Sequence, residues 1–290
     1  MRKILVLRGG ALGDFIVTLP ALAALRTHWP AARIEFAGNA TAAALARERG
    51  LLDAVHSQHE ARWSALFADA PLPPEFASWL SGFDLVLSYW PDPDGAVARH
   101  LPRHTGQVFL THAAHPTIAP AAAHYFEPLR QFSIGPPADG WCYPLSRHQP
   151  DGNAVAVHPG SGAPRKNWPA DRWRALLESL PDPVLLVLGE AERDMASAFT
   201  SIRARIEPAL NLPLEQLVAR LSRCRLFAGH DSGVSHLAAA CGVPSVLLFG
   251  PTDPAMWAPP AAHVRVIREG AGLTAITTEM VRAAISGHAL

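Results

Sequence analysis

Gly229-His230-Asp231-Ser232-Gly233-Val234-Ser235-His236-Leu237-Ala238-Ala239-Ala240-Cys241-Gly242-Val243-Pro244 is the stretch that decides the fold. The apolar run before it, Cys224 to Ala228, reads as a strand, and the small residues that follow make a turn opening a short helix. After it, Ser245-Val246-Leu247-Leu248-Phe249-Gly250-Pro251-Thr252 reads as a second strand ending in another turn. Strand, small-residue turn, helix and strand make the repeating unit of a parallel sheet. The free amides of a helix N-terminus attract anions, and glycine lets a phosphate approach the backbone closely. The arrangement points to a nucleotide-sugar site at the C-terminal edge of such a sheet.

The same alternation runs outward in both directions. In the first half, Lys3 to Arg8 reads as a strand, Asp14 to Trp29 as a helix, Arg33 to Ala37 as a strand and Ala40 to Arg49 as an alanine-rich helix. Asp84 to Tyr89 and Gln107 to Leu110 are further strand candidates, and Pro91 to His115 carries no clear signal. Between Phe132 and Asn153 the composition turns to Gly, Pro and polar residues, which reads as a connection between domains. A second series follows, with strands at Ala154 to His158, Val184 to Leu188, Arg225 to Ala228 and Ser245 to Phe249. Its helices are expected from about Asp171, Ala191, Leu214 and Val234, with a last one over Thr274 to His288. At 290 residues the chain is long enough for two domains, read here as Rossmann-like halves facing across a cleft: 1–140, and 153–290 with its last helix free to pack back on the first.

Bulk composition removes several classes of function. Formal net charge is zero, so no general attraction to nucleic acid or anionic lipid is expected. Cys142, Cys224 and Cys241 lie far apart without a CxxC pair and read as small buried hydrophobes in a reducing compartment. The N-terminal apolar run is short and interrupted by Arg8, unlike a signal peptide, and no run approaches the ~20 residues needed to span a bilayer. A cytoplasmic protein is the expectation. His56/His59 and His112/His115 are spaced i, i+3 without a third ligand, so no metal set is expected. No GxSxG nucleophile elbow is present, and Ser232 has no partner pattern for covalent catalysis.

Three segments carry candidate chemistry. Arg8-Gly9-Gly10-Ala11-Leu12-Gly13-Asp14-Phe15 has glycines at 9, 10 and 13, which is neither the GxGxxG fingerprint nor a P-loop. Asp14 is read there either as a helix N-cap or as a general base projecting from the loop. His158-Pro159-Gly160-Ser161-Gly162-Ala163-Pro164-Arg165-Lys166-Asn167-Trp168-Pro169 follows a strand and precedes a helix. Of 25 basic residues only Lys3 and Lys166 are lysine, so Lys166 marks either a chance exposed position or a site wanting a compact ammonium, such as a diphosphate. In Gly189-Glu190-Ala191-Glu192-Arg193 a carboxylate is placed to accept ribose hydroxyls or simply to charge a first helical turn; Glu190 and Glu192 compete for that role.

Together these segments resemble glycosyltransferase family 9, the ADP-heptose:lipopolysaccharide heptosyltransferases. The residues that carry the resemblance are Arg8 to Asp14 with Leu19-Pro20-Ala21-Leu22, His158-Pro159-Gly160-Ser161 with Lys166-Asn167-Trp168-Pro169, and Gly229 to Ala239 continuing to Gly242-Val243-Pro244 and Phe249-Gly250-Pro251-Thr252. The resemblance implies a GT-B architecture in which the C-terminal domain binds the donor, an ADP-sugar and specifically ADP-heptose. It further implies inverting transfer without a metal ion or cofactor to a glycan or glycolipid acceptor, in the cytoplasm or at the cytoplasmic face of the inner membrane, with at most peripheral membrane contact and no nucleic acid. By the same resemblance Asp14 is the catalytic base beside the loop of Gly9, Gly10 and Gly13. Lys166 meets the donor phosphates, and Ser161, Asp231, Ser232, Gly233 and His236 belong to the donor site. Glu192 is favoured over Glu190 at the ribose, and Arg62, Arg99 and Arg103 are candidates for acceptor contacts. Two other readings are a nucleotide-sugar binding or assembly protein without turnover, and a GT-B-like epimerase that needs no acceptor.

Overall fold

The chain folds into two α/β units, Met1–Asp139 and Gly140–Leu290, in a computed structural model that describes residues 1–199, 202 and 206–287. In the first unit, β1 (Lys3–Arg8) leads through the short helix α1 (Leu12–Ile16) into α2 (Leu19–His28) and β2 (Arg33–Gly38). Then follow α3 (Ala40–Glu48), β3 (Ala54–Ser57), a 3-10 segment at Ala61–Phe67, α4 (Pro74–Ser81), β4 (Leu85–Ser88), β5 (Val108–Thr111) and α5 (Ala121–Phe126). All strand pairs are parallel, in the order β3-β2-β1-β4-β5. Strand β1 is the hinge of this order: Ile4, Leu5, Val6 and Leu7 have no exposed surface, as expected for a strand covered by helices on both faces.

The single helix expected over Asp14 to Trp29 is two helices. Pro20 stands at the second position of α2, where it has no N–H to give to the carbonyl of Ile16 and its ring crowds that turn. Thr18 donates its hydroxyl to the Asp14 carbonyl at 2.8 Å and covers part of the break. As a result α1 is a separate single turn, and its first residues face the end of β1 rather than forming part of a long rod.

The second unit runs β6 (Val155–His158), a 3-10 turn at Pro164–Lys166, α6 (Ala170–Ser179), β7 (Val184–Leu188), a 3-10 segment at Glu190–Phe199 and β8 (Ile206–Leu210). It continues with α7 (Leu214–Leu221), β9 (Leu226–His230), α8 (Gly233–Ala240), β10 (Ser245–Phe249), α9 (Pro254–Trp257), β11 (Val264–Arg268) and α10 (Thr278–Ser286). Its six parallel strands lie in the order β11-β10-β9-β6-β7-β8. Counted from β6, that is the doubly wound order 3-2-1-4-5-6, and the direction of winding reverses between β6 and β9. The core is aromatic and aliphatic: Trp168, Trp173, Leu176 and Leu177 pack with Val281, Ala284 and Ile285 of α10, so the last helix is part of this unit's own core. Strand β9 extends two residues beyond the expected apolar run, so Gly229 and His230 are strand and the turn proper is Asp231-Ser232. Three strands carried no recognised signal: β3, β8 and β11 all lie on the flanks of their sheets, where alternating or polar sequence is tolerated.

Candidate active site

In the first unit the chemistry gathers where the winding reverses, between β1 and β4. The chain leaves β1 through Gly9 and Gly10. Gly10 adopts φ +115°, and a Cβ there would lie 2.5 Å from Asp14 Oδ2, so only glycine lets the loop turn under the carboxylate. Asp14 is the third residue of α1, not its N-cap, which is Ala11. Its Oδ2 accepts from the Ala11 amide at 2.9 Å, capping the helix in reverse, while Oδ1 accepts from Arg8 Nη2 at 2.9 Å. Gly9 sits against Gln58 and Trp90, and Gly13 lies within α1.

Arg8 is the last residue of β1 and is buried, which is unusual for a guanidinium and requires partners. Nη1 donates to the Gly9 carbonyl at 2.9 Å, and Nη2 is shared between Asp14 and the Tyr125 hydroxyl, also at 2.9 Å. The Tyr125 ring lies 4.4 Å from the guanidinium carbon, and its hydroxyl donates to the Ala114 carbonyl at 2.8 Å. Burial pushes the Tyr125 phenol up to about 12 despite the favourable charge of Arg8, so it stays a neutral donor and acceptor. The carboxylate of Asp14 is thus held in one orientation and remains about one-third exposed. Each carboxylate oxygen keeps a lone pair for an incoming hydroxyl.

Among the arginines considered for acceptor contacts, Arg62 is committed elsewhere. Its guanidinium carbon lies 4.6 Å from the rings of both Trp63 and Trp79, and it donates to His56 Nδ1 at 2.8 Å and pairs with Glu60. Arg99 pairs with exposed Asp69, and Arg103 reaches the His100 carbonyl.

In the second unit the site lies at the matching reversal, between the ends of β6 and β9. Lys166 Nζ donates to Asp231 Oδ2 at 3.0 Å and to the Asp231 carbonyl at 3.2 Å, joining the loop after β6 to the turn after β9. Ser232 is the N-cap of α8, accepting from the Ser235 amide at 3.3 Å, and Gly233 opens the helix. The first-turn amides of Gly233 and Val234 lie ahead of the helical ladder, beside the Lys166–Asp231 pair in sequence and at the positive end of the helix dipole. His236 is buried one turn on, its amide donating to the Ser232 carbonyl. Ser161 is held by its own loop, donating to the Ala163 carbonyl at 3.0 Å.

Glu192 and Glu190 are separated by burial. Glu190 is exposed, whereas Glu192 is buried and accepts from the Gly189 amide at 3.0 Å. Its side chain fills the space over Gly160, where a Cβ would come within 2.1 Å of Glu192 Cγ. Behind it, His158 donates from Nδ1 to the Val187 carbonyl at 3.0 Å. Burial holds the His158 imidazole below its ordinary range, against the opposing pull of that carbonyl and of Glu192.

The structure therefore brings Lys166, Asp231, Ser232, Gly233 and His236 into one neighbourhood, with Ser161 and Glu192 on the adjoining loops; Asp14, Gly9, Gly10 and Gly13 form a second group in the other unit. Arg8, Tyr125 and His230 carried no assigned role in the sequence. A charged residue closing the apolar run of β1 is a readable signal for Arg8; nothing local marks Tyr125. Among the described residues, no group of three or more His, Cys, Asp and Glu side chains is placed to hold a metal ion. No helix among them is long and apolar enough to cross a membrane.

Two parallel-sheet α/β units, each with its candidate site loops at the winding reversal, are the architecture of the GT-B class of glycosyltransferase folds. Solved structures agree over the whole chain. A glycosyltransferase family 9 protein from Veillonella parvula superposes with TM-score 0.80 at 19% identity, covering 99% of this chain and 96% of that one. The E. coli heptosyltransferase WaaC with ADP gives TM-score 0.75 at 19% identity, covering 99% and 100%. Residues 143–280 match the model of glycosyltransferase family 9 (heptosyltransferase). In sequence, lipopolysaccharide heptosyltransferase 1 of E. coli K12 is 30% identical over 95 residues, a match spanning 31% of this chain and 30% of that relative. The Salmonella typhimurium protein of the same name is 22% identical over 88% of this chain and 90% of its own length. Over residues 143–280 the chain is thus similar in sequence to glycosyltransferase family 9, and over both units it shares the fold of the solved heptosyltransferases.

Proposed function

We propose that the chain is an inverting, metal-independent heptosyltransferase that moves heptose from ADP-heptose to a lipopolysaccharide core or related glycan acceptor. The 153–290 region would bind the donor and the 1–140 region would supply the base and the acceptor side, at the cytoplasmic face of the inner membrane. The observation that carries this reading is the lysine–aspartate pair at the winding reversal of the second sheet, next to the capped start of α8. One of only two lysines in an arginine-rich chain, set beside the first-turn amides of a helix, suits a diphosphate leaving group. The solved relatives include WaaC with ADP and with ADP-2-deoxy-2-fluoro heptose, which supports ADP-heptose over other donors.

The chemistry is a single displacement. Asp14 accepts the proton of an acceptor hydroxyl as that oxygen attacks the anomeric carbon, and the bond from that carbon to the ADP oxygen breaks. Negative charge then grows on the diphosphate, where Lys166 and the amides of Gly233 and Val234 would stabilise it. The ammonium has three N–H donors, of which Asp231 takes two, leaving one for a phosphate oxygen. Arg8 keeps Asp14 oriented during the proton transfer.

The test is transfer from ADP-heptose to a heptose-acceptor glycolipid by wild type and Asp14→Asn. General-base catalysis is worth roughly 10²–10⁴-fold, so the variant should lose at least about 10²-fold in kcat with ADP affinity within about twofold. Near wild-type transfer by Asp14→Asn would remove the base assignment. Conversion of ADP-heptose with no acceptor present would favour the epimerase, and tight ADP binding without turnover the binding protein.

A further inference from the structure

His230 ends β9 with no exposed surface and takes no part in the reaction described above. Its ring nitrogens nevertheless reach two separated points of one loop. Nε2 accepts from the Trp168 backbone amide at 2.7 Å and, less closely, from Trp173 Nε1 at 3.3 Å. Nδ1 lies 3.3 Å from the Gly160 carbonyl. Gly160 and Trp168 are the two ends of the segment that carries Ser161 and Lys166. Two N–H donors converge on Nε2, so that nitrogen must be the bare one and the proton must sit on Nδ1, pointing at the Gly160 carbonyl. The Trp173 ring meets the imidazole edge-on at 5.2 Å and closes the space around it.

We propose that His230 is a positioning residue of the donor site: it fastens both ends of the Gly160–Trp168 loop and so fixes where the Lys166 ammonium stands. This rests on the donor-site reading of Lys166. Beyond these two points the segment is held by the Lys166–Asp231 pair and, at its far end, by the buried Trp168 indole, which donates to the Ile276 carbonyl at 3.0 Å. The segment contains Gly160 and Gly162, and its own bonds are local ones, from the Lys166 amide to the Ala163 carbonyl, from the Asn167 amide to the Pro164 carbonyl, and the Ser161 hydroxyl contact. None of these local bonds ties the loop backbone to the sheet; His230 grips that backbone at both ends, from the strand that leads into Asp231. A neutral ring is required, because a proton on Nε2 would face two donors. Burial, together with the charges of Lys166 and His158, opposes protonation and pushes His230 down to about 3, outweighing the Gly160 carbonyl.

Two variants separate the two bonds. In His230→Gln the amide oxygen can still accept from the Trp168 amide, while in His230→Asn the shorter side chain keeps only the Gly160 side. Calorimetric titration with ADP is made on wild type and both variants, each also combined with Lys166→Ala. The expected result is a loss of about tenfold for His230→Asn and about twofold or less for His230→Gln, with neither change mattering by more than about twofold once Lys166 is gone, because residues acting through one partner are not additive. Unchanged ADP affinity in both variants, or the same loss with and without Lys166, overturns the proposal, since a merely structural histidine would act independently of the lysine. A wild type that binds ADP, weakened by Lys166→Ala but untouched at position 230, removes this inference alone; a wild type that does not bind ADP removes the donor-site reading with it. Hydrogen exchange on the unaltered protein gives a second measure. The Trp168 amide should be protected like the amides of β9, and exchange at the rate of a free loop overturns the fastening.

Discussion

Lys166 and Asp231 should affect nucleotide binding with opposite signs, and the size of each effect follows from their pairing. The ammonium and carboxylate stand 3.0 Å apart, with side chains 21% and 10% exposed. A diphosphate arriving at the start of α8 is attracted by one and repelled by the other. Two unit charges about 4 Å apart at an effective dielectric near 20 interact by about 4 kcal/mol, and retaining half of this after rehydration leaves about 2 kcal/mol for the ammonium. Lys166→Ala should therefore weaken ADP binding roughly 30-fold. Asp231→Asn removes a repulsion acting from farther away and frees the lysine from its partner. A gain of about 1 kcal/mol, or roughly fivefold tighter ADP, is expected. Isothermal titration calorimetry with ADP at low and moderate salt measures both, and the two effects should shrink together as salt screens the site. The reasoning fails if Asp231→Asn weakens ADP as much as Lys166→Ala does. The pair would then be a strut holding the loop to the turn, with no electrostatic task of its own. Transfer from ADP-heptose by Asp231→Asn should fall even as ADP binds better, because tighter binding of a leaving group does not by itself stabilise the transition state.

Two further outcomes concern the first unit. Tyr125→Phe keeps the ring beneath Arg8 but deletes the hydroxyl that accepts from Nη2 and donates to the Ala114 carbonyl. Unfolding free energy should drop by about 1–3 kcal/mol in urea denaturation. kcat should fall with ADP affinity unchanged, so a loss of ADP binding or an intact kcat would speak against a role through Asp14. Glu35 is buried on β2 beside Arg33, His56 and Lys3. Burial alone would raise its pKa, but the bonds from His56 and Arg33 and the charge of Lys3 prevail and hold it at about 2, against an ordinary 4.5. With the folded value below the unfolded one, the carboxylate's stabilisation is complete above about pH 5 and is lost as pH falls towards 2, an upper bound of about 3 kcal/mol. Glu35→Gln should flatten that part of the stability profile in denaturant titrations, and an unchanged acid slope would refute the assignment.

What could be read in the sequence divides along a physical line. Strands β1, β6, β7, β9 and β10 are buried on both sides by helices, so each needs a continuous apolar run and announces itself. Strands β8 (Ile206-Glu207-Pro208-Ala209-Leu210) and β11 (Val264-Arg265-Val266-Ile267-Arg268) close the two edges of their sheet. An edge tolerates proline and charge, and their signal fades into loop composition. The break of α1 from α2 was legible in principle, since Pro20 sits six residues after Asp14, but periodicity on both sides of the break hides it. Lys166 was visible because the chain so rarely uses lysine. Its partner Asp231 lies 65 residues away, and Tyr125 is 117 residues from Arg8; side-chain pairs at such separations leave no local pattern to read.

Four buried polar residues share a position in the fold, and that position explains what they hold. Arg8 closes β1, His158 closes β6, His230 closes β9, and Ser88 closes β4, where its hydroxyl accepts from the Trp90 amide. All four are buried polar groups at the C-terminal end of a strand. A functional loop leaving a parallel sheet cannot be held by the ladder of hydrogen bonds it has just left, and glycine makes it looser still. A polar side chain in the last position of the strand can still grip it, and burial makes that grip strong because an unpaired group there would be costly. Arg8 holds the Gly9 carbonyl and Asp14, His158 holds the end of β7 at Val187, and His230 holds the loop of Lys166. The groups proposed to meet the sugar nucleotide therefore depend on strand-end residues to which that proposal gives no contact with it. Substitutions at these strand ends should alter rate and affinity more than their distance from any ligand would suggest.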